Sequence, residues 1–524
     1  MSSENFKKES KVTKYIGYVL TGTMFSRILG YLRDMLVGWL FGAGLYADAF
    51  YAAQRIPNLF RRLLGEGSLS SSFVPVFTDY ISTKDEEESK KLFSVVFTTL
   101  LFTLLVVTLI GIVFAPQLTR IIAYGFEKNP DKLALTISLT RLMFPALLFA
   151  CIAAFLLAVL NSLKSFFIPA VSPAVLSVAE IVFILGIARF ILKESQIKGL
   201  AIAVLVGGLL QFLIMMPSIK KHGFSFKPIL NFNHPGLKQI FYLMIPAMWG
   251  ISIDQVNAFI DTIFASFLKE GSVTALYYSN RVMQLPLALF GIAVASVSLP
   301  LMSASVSKKN IDDMKDMLAF SIKISSLAIF PSLMGLIILG KPMIKLLFEH
   351  GRFDSNATLI TNSALFFYAL GLPAFGYVKI FAGGFYSLKE TRIPVKVATL
   401  CMITNVFLNA ILMRPLGVGG LALATSISSW LNASLLYMFL RKRIGSFGSR
   451  KIFFSLVKIT VATLTMGLVC YILSNYVFSS LALNVFGTII ISFLTYLFMT
   501  KLLKIKEMKS VMSVLKREEP TIDE

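Results

Sequence analysis

Residues 92–115 read LFSVVFTTLLFTLLVVTLIGIVFA, 24 residues without a charge. A bilayer crossing takes about 20 mainly apolar residues in a helix, because hydrocarbon offers no water to an unpaired backbone. Outward from this stretch, further apolar runs alternate with polar loops. They predict helices over 15–43, 48–81, 90–122, 133–162, 168–192, 198–219, 238–268, 273–306, 314–339, 356–387, 394–413, 418–441, 451–475 and 480–503. The expected fold class is an all-α polytopic membrane protein with about 14 transmembrane helices. The stretch 48–81 is the most polar, with Asp48, Arg55, Arg61, Arg62 and Glu66. It is expected to span with its polar face on a cavity, where such residues are tolerated.

Composition agrees. The 524 residues are 56% hydrophobic and 15% charged, against roughly 45–50% apolar with glycine included and about 25% charged in soluble domains. This excludes a soluble multidomain enzyme and a disordered chain. A net charge of +22 would suggest nucleic acid in a soluble protein. In a membrane chain it marks loops on the cytoplasmic side, and no nucleic-acid partner is expected. Placing the N-terminus, alternate loops and the C-terminal tail on one side puts 29 of the 50 Lys+Arg there, with about 11 in the opposite loops. Both termini are therefore expected in the cytoplasm. The first apolar run of about 25 residues exceeds the 7–15 of a cleaved signal, so it reads as a retained helix. Cys151, Cys401 and Cys470 lie in apolar runs and read as core residues. His222, His234 and His350 fall in loops without metal-ligand spacing.

Phe50-Tyr51-Ala52-Ala53-Gln54-Arg55 aligns with Leu276-Tyr277-Tyr278-Ser279-Asn280-Arg281, each after a glycine turn and before a proline. The offset of about 226 residues fits two six-helix lobes, 1–225 and 226–445, followed by two further helices over 446–505 and a cytoplasmic tail over 506–524. Repeated halves are the pattern of secondary transporters, with substrate at their interface.

A charge at the centre of a spanning helix costs at least about 2.5–3.5 kcal/mol. The first helix carries Arg27, Arg33 and Asp34. Arg27 and Asp34 share a face by their spacing of seven, and Arg33 lies about 120° away. In the second helix Arg55, Asn58, Arg62 and Glu66 form one stripe, with Arg61 off it, and the eighth adds Arg281. The arginines outnumber the nearby acids Asp34, Asp48 and Glu66. An anionic substrate would balance them, and the planar guanidinium fork suits phosphate. The competing reading is snorkelling or structural pairing. Asp261, Asn405, Asn409 and Thr425 form a smaller oxygen-bearing set suited to a hard cation such as Na⁺, or to hydrogen bonding between helices. No catalytic residue and no other cofactor is expected: the chain holds no Gly-rich phosphate loop, HExxH or nucleophile elbow. Active transport would then draw on an ion gradient or the membrane potential.

The run Ser26-Arg27-Ile28-Leu29-Gly30-Tyr31-Leu32-Arg33-Asp34, then Phe41-Gly42-Ala43-Gly44 and Ala47-Asp48-Ala49-Phe50, resembles the start of MurJ/MviN-type lipid II flippases. So do Pro57-Asn58-Leu59-Phe60-Arg61-Arg62-Leu63, Glu66-Gly67-Ser68-Leu69-Ser70-Ser71-Ser72-Phe73-Val74-Pro75, Asn161-Ser162, Thr262-Ile263-Phe264-Ala265-Ser266-Phe267, Leu347-Phe348-Glu349-x-Gly351-x-Phe353 and Phe385-Tyr386-Ser387-Leu388-Lys389-Glu390-Thr391-Arg392-Ile393-Pro394-Val395-Lys396. The resemblance implies the multidrug/oligosaccharidyl-lipid/polysaccharide exporter fold, with helices 13 and 14 forming a groove for a lipid tail. It implies transport of undecaprenyl-diphosphate-linked disaccharide pentapeptide, lipid II, to the outer leaflet of the bacterial inner membrane for peptidoglycan synthesis and cell shape. Membrane lipids and the cell-wall synthesis machinery are the implied partners. Functional positions carry over to Arg27, Arg33, Asp34, Asp48, Arg61, Arg62, Glu66 and Arg281, and a sodium pattern to Asp261, Asn405, Asn409 and Thr425. Asn280 replaces an aspartate found before the helix 8 arginine in some members. Arg55 replaces a lysine, and Asn409 a carboxylate of a sodium-coupled member. The alternatives are a flippase for another polyprenyl-linked glycan, a drug exporter of the same superfamily, for which acidic cavity residues would be expected, and a non-transporting membrane scaffold.

Overall fold

A computed structural model of the chain describes residues 22, 24–65 and 67–508. In order, the helices are α1 (24–41), α2 (Leu45–Leu64), α3 (Ser68–Thr83), α4 (Glu86–Val113), α5 (Ala115–Ile122), α6 (Pro130–Ser162), α7 (Phe167–Val182), α8 (Lys193–Lys221) and α9 (Pro235–Ser266). Then come α10 (Ser272–Pro286), α11 (Ala293–Ser307), α12 (Ile311–Phe348), α13 (Ser355–Ser387), α14 (Arg392–Leu416), α15 (Val418–Ile444), α16 (Ser449–Ile472) and α17 (Thr488–Leu502). Among the described residues there is no strand, and 11 helical spans are long and apolar enough to cross a membrane.

Among the described residues each of the predicted stretches is helical, and three are divided into two α-helices each. The stretch 48–81 is not one span: it breaks into α2 and α3 around Gly65 and Gly67. Gly67 has φ +82°, a conformation that favours glycine. A Cβ at Gly65 would lie 3.0 Å from the Arg61 carbonyl oxygen and 3.0 Å from Cys151 Sγ. Pro116, which has no N–H to continue the ladder, stands at the division of α4 from α5. A π-helical segment, Leu287–Ile292, divides α10 from α11.

Helix ends follow local chemistry. Asn129, Asn310 and Asp354 cap α6, α12 and α13 by accepting from the N–H groups of Lys132, Asp313 and Ala357. At four ends a lysine takes the left-handed conformation usually given to glycine: Lys164, Lys309, Lys389 and Lys504, at φ 59°, 59°, 60° and 51°. In each, the next residue's N–H returns to a carbonyl five positions back, as from Ser165 to Leu160 and from Glu390 to Phe385.

The chain packs as two compact units, Met1–Val273 with Gly351–Phe353, and Thr274–His350 with Asp354–Glu524. The packing boundary follows α9, since α9 lies against α2, α3 and α5. In the first unit an aromatic core joins α3, α4 and α6 to the segment after α8: Phe73, Phe93 and Phe224 have ring centroids 5.0, 5.5 and 5.3 Å from Phe155, Phe155 and Phe93 respectively. In the second unit α11–α15 enclose Met302, Leu318, Ile380, Phe385 and Leu440. Cys151, Cys401 and Cys470 are buried free thiols.

The start of the polar tail is more deeply packed than its composition suggests. Ile505 and Met508 are buried with Leu327, Ile459, Ala462, Met466 and Tyr496. The Glu507 carboxylate, also buried, meets Lys323 Nζ of α12 at 2.7 Å and accepts from Ser455 Oγ of α16 at 3.1 Å. Burial pushes the carboxyl upward, but the hydrogen bonds from Lys323, its own backbone and Ser455, with the lysine charge, outweigh it and hold Glu507 below the usual carboxylate range. A depressed carboxyl stabilises the fold above its unfolded value, and that contribution is lost as pH falls through the folded value. Glu507→Gln is therefore expected to cost about 2 kcal/mol near neutral pH. Thermal unfolding in detergent should show the gap to wild type closing in acid; a gap independent of pH would exclude the charge as its cause.

Candidate functional site: buried charges in spanning helices

In the first unit the α1 charges separate by environment. Arg27 is exposed, Arg33 is 14% exposed and Asp34 is buried. Arg33 donates to Asp34 Oδ1 from Nε at 3.0 Å and from NH2 at 2.7 Å. Its NH1 donates to Glu180 Oε1 of α7 at 3.4 Å. Glu180 is 2% exposed and stands within the apolar span Phe167–Phe190. The sequence reading did not single it out. A lone carboxylate in Val178-Ala179-Glu180-Ile181-Val182 was the available signal, since an intramembrane acid is a functional candidate by default.

On α2, Arg55 Nε donates to Thr262 Oγ1 of α9 at 3.0 Å. Asn58 and Arg61 are half-buried and Arg62 is exposed. Glu66 lies outside the described residues. Asp48, expected as part of the substrate site, lies in an enclosed ion pair: its Oδ2 accepts from Lys132 Nζ at 2.8 Å and from the Gly271 N–H at 2.8 Å. Both side chains are nearly sealed, at 1% and 8% exposure. Lys132 also lies 4.1 Å over the Phe126 ring. Sequence spacing could not find this partner, because 84 positions separate the two residues.

In the second unit Arg281 is half-buried on α10. Asn280 Oδ1 accepts from Gln284 Nε2 of the same helix at 2.6 Å. The α2 and α10 openings share a ring arrangement: Phe50 and Tyr51 meet edge-on at 5.5 Å and 77°, Tyr277 and Tyr278 at 5.7 Å and 80°. Asn405, Asn409 and Thr425 form a relay, with Asn409 Nδ2 donating to Asn405 Oδ1 at 3.0 Å and Asn405 Nδ2 to Thr425 Oγ1 at 3.2 Å. Asp261, buried on α9, belongs to the first unit. Among the described residues no group of three or more His, Cys, Asp or Glu is placed to hold a metal ion.

The described residues form helices without a strand, 11 of the helical spans long and apolar enough to cross a membrane, and this is the form of a polytopic membrane protein. Its fold is similar to that of an inward-facing multidrug resistance MATE family transporter, with TM-score 0.66 at 16% identity over 81% of this chain and 96% of that one. Within that class the chain belongs to the lipid II flippase MurJ family, whose match covers residues 37–492. A probable lipid II flippase MurJ of Vibrio cholerae is 38% identical over 79% of this chain and 80% of its own length. The lipid II flippase MurJ of Burkholderia cenocepacia is 34% identical over 80% and 82%. A solved lipid II flippase MurJ in an inward closed conformation matches with TM-score 0.78 and 28% identity, over 92% of this chain and 98% of that one. The protein is thus a transporter rather than an enzyme, passing many times through the bacterial inner membrane.

Proposed function

We propose that this protein moves lipid II from the inner to the outer leaflet of the cytoplasmic membrane by alternating access. Family membership, with arginines placed on α1, α2 and α10, carries the reading. The diphosphate is the one strongly anionic part of that cargo, and guanidinium groups bind it by paired charged hydrogen bonds. Arg27, Arg33 and Arg281 are the proposed diphosphate ligands, with Arg55, Asn58, Arg61, Arg62 and Glu66 lining the path of the head group. Two lobes, 1–225 and 226–445, rock about the cargo, and helices over 446–505 guide the isoprenoid tail, which stays in lipid throughout. Both termini face the cytoplasm in this scheme. The membrane potential, worth about 2.3 kcal/mol per charge per 100 mV, acts on the empty cationic carrier during its return. Na⁺ at Asp261, Asn405, Asn409 and Thr425 is the proposed alternative drive, supported by the oxygen-bearing relay of the last three. The cell-wall synthesis machinery is the proposed destination of the flipped lipid.

The test is accessibility of lipid II heads to an externally added head-cleaving enzyme in cells depleted of this protein. Wild type is expected to restore outside accessibility, and an Arg27→Ala/Arg281→Ala variant expressed at equal level is expected to lose it. Accessibility that never falls on depletion overturns lipid II as cargo.

A further inference from the structure

Glu180 contacts the proposed diphosphate ligand Arg33, which divides its hydrogen bonds unequally between two carboxylates. Arg33 makes two hydrogen bonds to Asp34, its neighbour on α1, at 3.0 and 2.7 Å. It makes one to Glu180, on a different helix, at 3.4 Å. A guanidinium drawn toward an anion therefore gives up Glu180 first and keeps Asp34. Among the described residues, Arg33 is the only hydrogen-bond or ion-pair partner of Glu180. The carboxylate stands 13 residues into the 24-residue span Phe167–Phe190, beside buried Ser177, Phe183 and Ile184. Arg33 and Asp34 are the charged groups that face it; α6 and α8, packed on α7, set no described charged side chain against it. A carboxylate in such surroundings that loses its counter-cation becomes neutral by taking a proton rather than remaining a bare buried charge.

We propose that Glu180 is a proton-binding site linked to Arg33, so that capture of the substrate diphosphate by Arg33 is accompanied by uptake of one proton on Glu180. The proton comes from solvent at the partly exposed Arg33 side and forms a neutral carboxylic acid. It leaves again when the diphosphate departs and Arg33 returns to the carboxylate. The flip cycle then carries a proton step set by the first unit alone. The inference rests on the flippase reading for its substrate, but the proton site can be read without substrate.

The experiment uses the full chain in lipid nanodiscs, with undecaprenyl diphosphate as the probe and infrared detection of the protonated-carboxyl stretch. Adding the probe to wild type near neutral pH is expected to raise that band, and Glu180→Gln is expected to remove the increase. One linked proton weakens wild-type probe binding tenfold per pH unit where Glu180 is ionised in the free protein and protonated in the complex. Glu180→Gln flattens this dependence. Equal pH dependence in both proteins overturns the proposal. The comparison without the probe decides it independently: Arg33→Ala should show a protonated-carboxyl band that Arg33→Ala/Glu180→Gln lacks, and absence of the band from the single variant overturns the proton site. Failure of wild type to bind the probe, with the probe-free Arg33→Ala band present, overturns the diphosphate reading and leaves the proton site standing.

Discussion

Asp48→Ala is expected to destabilise the protein by about 3–5 kcal/mol, the cost of leaving one member of a buried ion pair without its partner. The substitution strips Lys132 Nζ of its 2.8 Å carboxylate contact and the Gly271 N–H of its acceptor in one step. Lys132 cannot move its charge to water cheaply, since its side chain is 8% exposed. Its position over Phe126 supplies only part of the lost attraction. Lys132→Met in the same background is expected to recover much of the loss, because an apolar replacement of similar length removes the stranded charge. Thermal unfolding of the single and double variants in detergent checks this. A double variant no more stable than Asp48→Ala would show that the Gly271 contact, not the stranded lysine, dominates.

Gly42→Ala should cost roughly 3 kcal/mol by adding backbone strain to a steric clash. Gly42 has φ +68°, and a Cβ there would lie 2.4 Å from the Arg352 carbonyl oxygen and 2.9 Å from its carbonyl carbon. A backbone hydrogen bond lies beside it: the Arg352 N–H donates to the Trp39 carbonyl at 3.0 Å, and Gly351, at φ +60°, also faces that oxygen. Two glycines thus let the end of α1 and the segment Gly351–Phe353 meet backbone to backbone within the first unit. Gly445→Ala is the control, since it shares a positive φ of +83° but meets nothing within 4 Å. It should lose only the strain, about 1 kcal/mol. Faster hydrogen exchange at the Arg352 amide in Gly42→Ala, and not in Gly445→Ala, would locate the damage. Equal losses in the two variants would refute the clash.

The run 92–115 announces a membrane span, and α4 occupies it. The charges of α1 and α2 were visible as departures from apolar periodicity, and a guanidinium fork already suggested an anion. Their partners were not visible. Arg33 meets Glu180 across 147 positions, and Asp48 meets Gly271 across 223. The stretch 48–81 resembled one polar helix until Gly67 took its positive φ, and Glu507 resembled tail until it met Lys323.

The division has a physical cause. Entry into a bilayer is decided segment by segment, from the transfer free energy of about 20 neighbouring residues. Membrane class, helix order and the excess of intramembrane arginine therefore stand in the linear chain. Which carboxylate neutralises which cation depends on side chains brought together from distant helices, where burial makes an absent partner costly. Packing alone assigned Asp48 to Lys132 and brought Glu180 to Arg33.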